Sequence, residues 1–320
     1  MRQAGRYMKE YRAVRERHTL LEIIRDPELS CQVTLQPMEA FDLDAAIIFA
    51  DILPPLESLG LRVEFQSGEG PVILTPIRDE EAVRALGSGD PTECCAATLE
   101  AIRLAKRALG STPLIGFSGA PFTLGSYAVQ GGASKDFTLA RRFMMDRPDL
   151  WHVLMARVSD LVTRYLTAQA AAGVDALQLF DTWAGLLGPD DYAEFALPYV
   201  RRVVAEVSGT GLPLIYFSVG TGGMLDRVGE CGAPVIGVDW RVDLGGSRKS
   251  LGSQVVAVQG NLDPVALLTE WRELEQRARR VLISAEGRPG HIFNLGHGVL
   301  QQTPAESVRR LVDFVHTFKL

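Results

Sequence analysis

Short apolar runs, each ending on a polar residue, recur along this chain. The first is Asp44-Ala-Ala-Ile-Ile-Phe-Ala-Asp51. Residues 113–118, 176–181, 213–218, 234–239, 255–261 and 291–297 repeat it, closing on Ser118, Asp181, Ser218, Asp239, Asn261 and His297. These runs are bounded and do not alternate, which suits strands covered on both faces. Between and after them the apolar positions take helical spacing, over residues 19–26, 28–41, 80–86, 91–109, 136–172, 190–207, 222–228, 264–284 and 304–318. Residues 62–65 and 71–74 read as a hairpin, and the glycines among small residues at 130–135 mark the expected mobile loop.

Strand followed by helix, repeated, predicts a parallel sheet with right-handed crossovers. The expected fold is α/β, a (β/α)8 TIM-type barrel forming one domain over residues 1–320. Seven runs are one short of eight, and Met1-Arg2-Gln3 fits the tail of a first strand that is truncated at the N-terminus. Such a short strand would leave its neighbours with unpaired edges. In this fold the loops after the strands build the site. The polar strand ends therefore gather at one mouth, together with Arg2.

Composition narrows the class. The 320 residues are 47% hydrophobic and 22% charged, as in ordinary globular enzymes. A formal net charge of −6 argues against a general nucleic-acid binder. No apolar run approaches the length of a membrane span, and the start lacks the apolar core of a signal peptide. Cys31, Cys94, Cys95 and Cys231 read as buried thiols in a reducing compartment, so a cytoplasmic location is expected.

Against that acidic background the opening is basic. Arg2, Arg6, Lys9, Arg12, Arg15 and Arg17 face only Glu10 and Glu16, a local excess of four positive charges. A solvated, salt-bridged helix face would explain it. So would an anion clamp, because arginine offers a fixed fork of donors that matches a carboxylate. Gly5 would let the backbone approach a ligand closely.

The strand ends discriminate among chemistries. Of the five histidines, His297 alone sits at a strand end, and no cysteine joins it, so a zinc site is not expected. Gly220-Thr-Gly-Gly223 follows a strand and precedes a helix, yet it lacks the last glycine of a dinucleotide fingerprint and the Gly-Lys pair of a P-loop. No Gly-x-Ser-x-Gly is present. Asp51, Asp181 and Asp239 could form an acid/base pair of the glycosidase kind, but such a pair leaves the arginines unexplained. Arginines facing a central aspartate suit a substrate anionic at its edge and donor-rich or cationic within.

Several longer stretches carry a family resemblance. They are Met1-Arg-Gln-Ala-Gly-Arg-Tyr7, Asp42-Leu-Asp-Ala-Ala-Ile-Ile-Phe-Ala-Asp-Ile-Leu53, Ile115-Gly-Phe-Ser-Gly-Ala-Pro-Phe-Thr-Leu124, Gly237-Val-Asp-Trp240, Gln259-Gly-Asn-Leu-Asp-Pro264 and Asn294-Leu-Gly-His-Gly298. The chain resembles the uroporphyrinogen decarboxylase family over essentially its whole length. The resemblance implies a (β/α)8 barrel that works as a homodimer, without metal or organic cofactor. It implies removal of the carboxyl groups of four acetate side chains of uroporphyrinogen, giving coproporphyrinogen. It places substrate-binding arginines at Arg2, Arg6 and Arg15, the central aspartate at Asp51, a substrate-contacting tyrosine at Tyr127, a hydroxyl position at Thr182 and a strand-end histidine at His297. Gln3, Ala4 and Gly5 lie in the substrate-binding segment. Taken alone, Tyr127 reads as a helix-face aromatic, Thr182 as a helix cap, His297 as either a structural or a site residue, and Trp183 and Trp240 as pocket lining or packing. Two departures stand out. Family members carry a segment ahead of the arginine motif, and Thr182-Trp183 replaces the Ser-His of some relatives.

Two competing functions remain in view. A corrinoid-type methyltransferase on a related barrel would need a zinc site of His and Cys ligands. A non-catalytic tetrapyrrole-binding protein would keep the arginines without needing Asp51.

Overall fold

A computed structural model describes residues 3–66, 70–287 and 289–319. Its strands are β1 (Ala46–Ile47), β2 (Val63–Gln66), β3 (Gly70–Ile73), β4 (Leu114–Gly119), β5 (Ala176–Asp181), β6 (Leu214–Ser218), β7 (Val235–Gly237), β8 (Ala257–Leu262) and β9 (His291–Leu295). β1 and β4–β9 form one parallel sheet in the order β1-β4-β5-β6-β7-β8-β9. Helices follow the strands and back the sheet, giving the (β/α)8 TIM-type architecture. β2 and β3 pair antiparallel as the expected hairpin. Residues 130–135, expected to be mobile, are tied to it: Ile73 N donates to Gly131 O at 2.9 Å, and Val72 bridges Gly132.

Register decides which side chains face inward. Paired residues of parallel strands share a face, and the face alternates along each strand. Leu114, Leu177, Leu179, Tyr216, Ile236 and Val258 point to the helices and are buried in the main core. Ile115, Phe117, Gln178, Phe180, Ile215, Phe217, Gln259 and Ile292 take the inner face. Phe117, Phe180 and Phe217 contact edge to face, with centroids 5.4 and 6.0 Å apart.

The expected strand over residues 44–51 is paired only at Ala46 and Ile47, with Ile48 N adding one bond to Ile115 O at 3.0 Å. Beyond it the chain leaves β4, and side chains replace the lost neighbour. Phe49 N donates to Thr34 Oγ1 at 2.9 Å. On the β4 side, Gln169 of the helix Pro148–Ala172 accepts from Phe117 N and donates to Phe117 O, both at 2.8 Å. Gly116 makes room for it, since a β-carbon there would lie 2.4 Å from Gln169 Oε1.

Gln3 does the same for the outer edge of β1. Its Nε2 donates to Ala45 O at 2.7 Å, and its Oε1 accepts from Ile47 N at 3.0 Å. Between β1 and β9, the two ends of the sheet, lies a slot of about 220 Å³ lined by Ile47, Ile292, Phe293 and Leu311 among others. Met1 and Arg2, assigned to the tail of a first strand, fall outside the described residues.

Several expected helices are divided: 190–207 breaks at Ala196, and 264–284 is a 3-10 turn, Pro264–Leu268, followed by the helix Trp271–Ser284. Residues 91–109 split at Cys95, whose φ of −108° and ψ of 17° are not helical. Residues 136–172 split ahead of Pro148, which cannot continue a helix but starts one well.

Because Gln169 is fully buried, Gln169→Leu leaves the Phe117 amide and carbonyl without partners. The expected cost is about 2–5 kcal/mol of unfolding free energy in a urea titration. A loss under about 1 kcal/mol would mean that water or a neighbour satisfies both groups.

Candidate active site

The basic opening folds against the end of β1. After Gln3 the chain turns, with Met8 N donating to Gly5 O at 2.9 Å, and enters the helix Lys9–Arg15. The aromatic rings fix this segment: Tyr7 stacks on Phe41 at 6.3 Å and Tyr11 tilts against Phe49 at 5.5 Å. Tyr7 OH donates to Gln3 O at 2.7 Å, and burial holds its phenol well above the ordinary range. Arg12 is structural. Its Nη1 donates to Arg6 O at 2.9 Å and to Tyr7 O at 3.1 Å, which sets the backbone that carries Arg6. Arg15 is half-buried and donates through Nη1 to His18 O at 2.8 Å.

A cavity of about 260 Å³ lies between this segment and Asp51. Ala4, Gly5, Arg6 and Arg15 line one side, and Phe49, Ala50 and Asp51 another. Asp51 Oδ1 accepts from Leu53 N at 3.0 Å, which fixes the carboxylate at the start of its loop. Arg2 lies outside the described residues. Gln3 does not line this cavity; its amide is taken by β1. Tyr11, Leu20 and the loop Val299-Leu300-Gln301 also line it and were not singled out from sequence. The loop's only sequence signal is its place just after Asn294-Leu-Gly-His-Gly298.

Tyr127, Thr182 and His297 are not among the residues that line this cavity. Tyr127 belongs to the helix Pro121–Gln130, and burial raises its phenol above the usual value. The Trp183 indole N–H, turned toward its oxygen without full hydrogen-bond geometry, opposes that rise, and the Asp51 charge adds to it. Tyr127 therefore lies within electrostatic reach of Asp51 as a neutral donor. It packs edge to face with Phe137 at 5.1 Å and Trp183 at 6.3 Å. Thr182 is half-buried between Asp181 and Trp183. His297 is exposed and meets the Trp240 ring edge to face at 6.2 Å.

Most polar strand ends turn out to hold the barrel together. Asp181 is fully buried on the helix-facing side. It accepts from Thr123 Oγ1 at 2.7 Å and Tyr216 OH at 2.8 Å, and Thr123 Oγ1 in turn accepts from Trp183 N at 3.3 Å. Asp239 accepts from Gly220 N at 2.5 Å and from Arg241 N at 2.8 Å and Nη1 at 3.0 Å. The first N–H of the Gly220-Thr-Gly-Gly223 turn is thus committed to protein. Ser218 and Thr221 hydroxyls meet at 2.7 Å, and Asn261 Nδ2 donates to Asp239 O and Val242 O. Of the three aspartates weighed as an acid/base pair, Asp51 alone lines this cavity.

Burial raises the Asp181 carboxyl from 3.8 to about 6, against the opposing hydrogen bonds from Thr123 and Tyr216. A carboxyl so raised stabilises the fold fully below its unfolded value, and the contribution is lost as pH rises through about 6. The difference amounts to about 3 kcal/mol. Asp181→Asn keeps an acceptor without the charge. Its stability relative to the unaltered protein is expected to improve by about that amount between pH about 4 and about 7, measured by urea denaturation across pH. A constant difference across that range would show that Asp181 ionises at its ordinary pH.

Comparison with known proteins identifies relatives of the chain. The sequence model of the family described as uroporphyrinogen decarboxylase (URO-D) matches residues 1–318. The uroporphyrinogen decarboxylase of Chloroflexus aggregans is 53% identical over 324 aligned residues, spanning 100% of this chain and 91% of that one. Those of Roseiflexus sp. and Sorangium cellulosum are 52% and 49% identical, over 99% of this chain and 93% and 90% of theirs. Among solved structures, a methyltransferase from Methanosarcina mazei superposes with a TM-score of 0.78 at 18% identity, covering 92% of this chain and 89% of that one. At that identity the likeness speaks for the fold alone. A match running through Phe318, with about half of all positions identical in relatives of similar length, means that the chain belongs to the uroporphyrinogen decarboxylase family.

Proposed function

We propose that the cavity between the Ala4–Arg15 segment and Asp51 receives the substrate macrocycle, and that Asp51 stabilises its cationic intermediate. As a member of this family the chain is a carboxy-lyase. It converts uroporphyrinogen III to coproporphyrinogen III in haem biosynthesis, turning four acetate side chains into methyls. The observation that carries the site assignment is the meeting of Arg6 and Arg15 with Asp51 around one cavity.

The chemistry follows from the substrate. Uroporphyrinogen carries eight carboxylates around a ring of four pyrrole N–H donors. Charge-assisted bonds to the rim contribute roughly 1.5–3 kcal/mol each, so Arg6 and Arg15, with Arg2, form the clamp. Asp51 accepts from the inward N–H groups. Each decarboxylation then begins with a proton added to a pyrrole carbon, which makes an iminium-like cation. The acetate carboxylate leaves as carbon dioxide, its electron pair flows into that cation, and a second proton on the exocyclic carbon completes the methyl. Loss of the ring proton restores the pyrrole, so each cycle consumes one proton overall. Asp51 lowers the barrier because its charge is already in place where positive charge develops. Tyr127, Thr182 and His297 complete the substrate contacts, with Gln3, Ala4 and Gly5 shaping the segment. The chain acts as one domain over residues 1–320, as a homodimer, in the cytoplasm. The family resemblance supports these three readings. Light scattering at twice the chain mass is the expected result for the dimer, and the single-chain mass would overturn it.

Anaerobic incubation with uroporphyrinogen III, followed by oxidation and chromatography, is expected to give seven-, six-, five- and four-carboxyl porphyrins in sequence. Asp51→Asn is expected to fold normally and lose about 100- to 1,000-fold in kcat. Near-normal turnover by this variant would refute the electrostatic role. Arg6→Ala is expected to raise KM about tenfold or more, with a shallower dependence on salt than the unaltered protein shows. A KM unchanged at low salt would remove Arg6 from the clamp.

A further inference from the structure

A second arginine arrangement stands at the mouth of the barrel, away from the opening segment. Asp239, Trp240 and Arg241 follow β7 on the side where the strands end. Asp239 is almost wholly buried, and it holds both the backbone N–H and the Nη1 of Arg241. The Arg241 guanidinium carbon lies over the Trp240 ring, 3.9 Å from its centroid. The same ring meets His297 edge to face at 6.2 Å. A β-carbon on Gly296 would lie 2.3 Å from Trp240 N and 2.9 Å from its Cα, so the β7 and β9 loops are packed backbone to backbone. The loop is pinned from below as well, through Asn261 Nδ2 on Asp239 O and Val242 O and through Gly220 N on Asp239. Yet the Arg241 side chain remains 55% exposed, and among the described residues Asp239 is its only recorded carboxylate partner.

This is an unusual state for a surface arginine. A long side chain ordinarily gives up rotamer freedom when it binds, which weakens the contact. Here one edge of the fork is anchored by a buried carboxylate and its carbon by an indole, so that cost is met within the free protein. The remaining N–H groups stay available to solvent in a fixed plane, the geometry that suits a carboxylate. The charge of Asp239 limits long-range attraction but leaves those donors in place. If Arg241 only braced the loop, its outer edge would carry no function.

We propose that Arg241 is a further carboxylate-binding residue, holding a rim carboxylate of the substrate at the part of the mouth formed by the β7 and β9 loops, beside His297. The proposal rests on the reading of the cavity at Asp51 as the macrocycle site. It extends the clamp from the opening segment to a separate part of the mouth. A ring bearing carboxylates on every side needs holding at more than one edge to keep its centre over Asp51.

The test uses two readouts on the full chain. Oxidised uroporphyrin III serves as an unreactive octacarboxylate whose fluorescence reports binding, and anaerobic turnover of uroporphyrinogen III reports KM and kcat. Arg241→Ala is expected to weaken uroporphyrin binding and raise KM, each about tenfold, while kcat stays within about twofold. Arg241→Lys keeps the charge but loses the fork, and is expected to recover only part of the affinity. Binding by Arg241→Ala is also expected to depend less steeply on salt. Unchanged affinity and KM in a folded Arg241→Ala, with only a lower melting temperature, would make Arg241 a structural brace and overturn the proposal. Binding that depends on Arg241 in a protein whose Asp51→Asn variant turns over normally would uphold Arg241 and sink the role given to Asp51. Failure of the unaltered protein to bind uroporphyrin would overturn both.

Discussion

A parallel sheet buried on both faces cannot leave backbone groups unpaired, and this chain meets that demand where its first described strand peels away. Ile48 makes the last bond from β1 to β4. Past that point Phe49 and Phe117 each face a missing neighbour. Thr34 satisfies one and Gln169 the other, while Gln3 covers the far edge of β1. Early departure from the sheet frees residues 49–51 to turn into the cavity. Asp51 reaches the cavity because side chains stand in for a strand.

The same accounting sorts the carboxylates. Asp181 and Asp239 sit at strand ends as Asp51 does, but hydroxyls hold one, and backbone N–H groups and a guanidinium hold the other. Their work is to fix loops that carry other residues. Asp181 reaches Trp183 through Thr123, and Thr123 shares a helix with Tyr127. The aromatic contact of Trp183 and Tyr127 is therefore braced at both ends. Asp239 orients Arg241 in the same way. The two buried carboxylates set positions, whereas on the proposed reading of the site Asp51, beside the cavity, meets the substrate.

The apolar runs announced every strand of the parallel sheet, because strands covered on both faces need unbroken hydrophobicity. Their ends were harder to place. The run over residues 44–51 continues apolar to Ala50, yet pairing stops after Ile48, since tertiary partners and not hydrophobicity decide where a ladder ends. Helix 91–109 gave no sign of its break at Cys95, whereas Pro148 marked the division of 136–172 in plain view. Among site residues, the basic opening and Asp51 were legible as a charge run facing a strand-end acid. The roles of Asp181 and Asp239 were not, because their partners come from distant parts of the chain: Thr123 lies 58 residues before Asp181. Tyr11, Phe49 and Gln301 line the cavity through packing that no local pattern encodes.

Charge closes the account. The chain is acidic overall at −6, and its substrate is a polyanion, so the mean field opposes their meeting. Salt removes most of that opposition, since at physiological ionic strength exposed charges farther apart than about 8 Å are largely screened. What remains is the field of the nearest groups, and around the cavity those are Arg6 and Arg15. Inside the cavity the ordering reverses. On the proposed binding mode a macrocycle seated beside Asp51 displaces water, so that charge acts on the ring with less screening than the rim charges feel. In the proposed complex the protein presents positive charge to the carboxylate edge and negative charge to the pyrrole centre. A single sign could not do both, because a wholly basic pocket would hold the rim while destabilising the cation on which the loss of carbon dioxide depends.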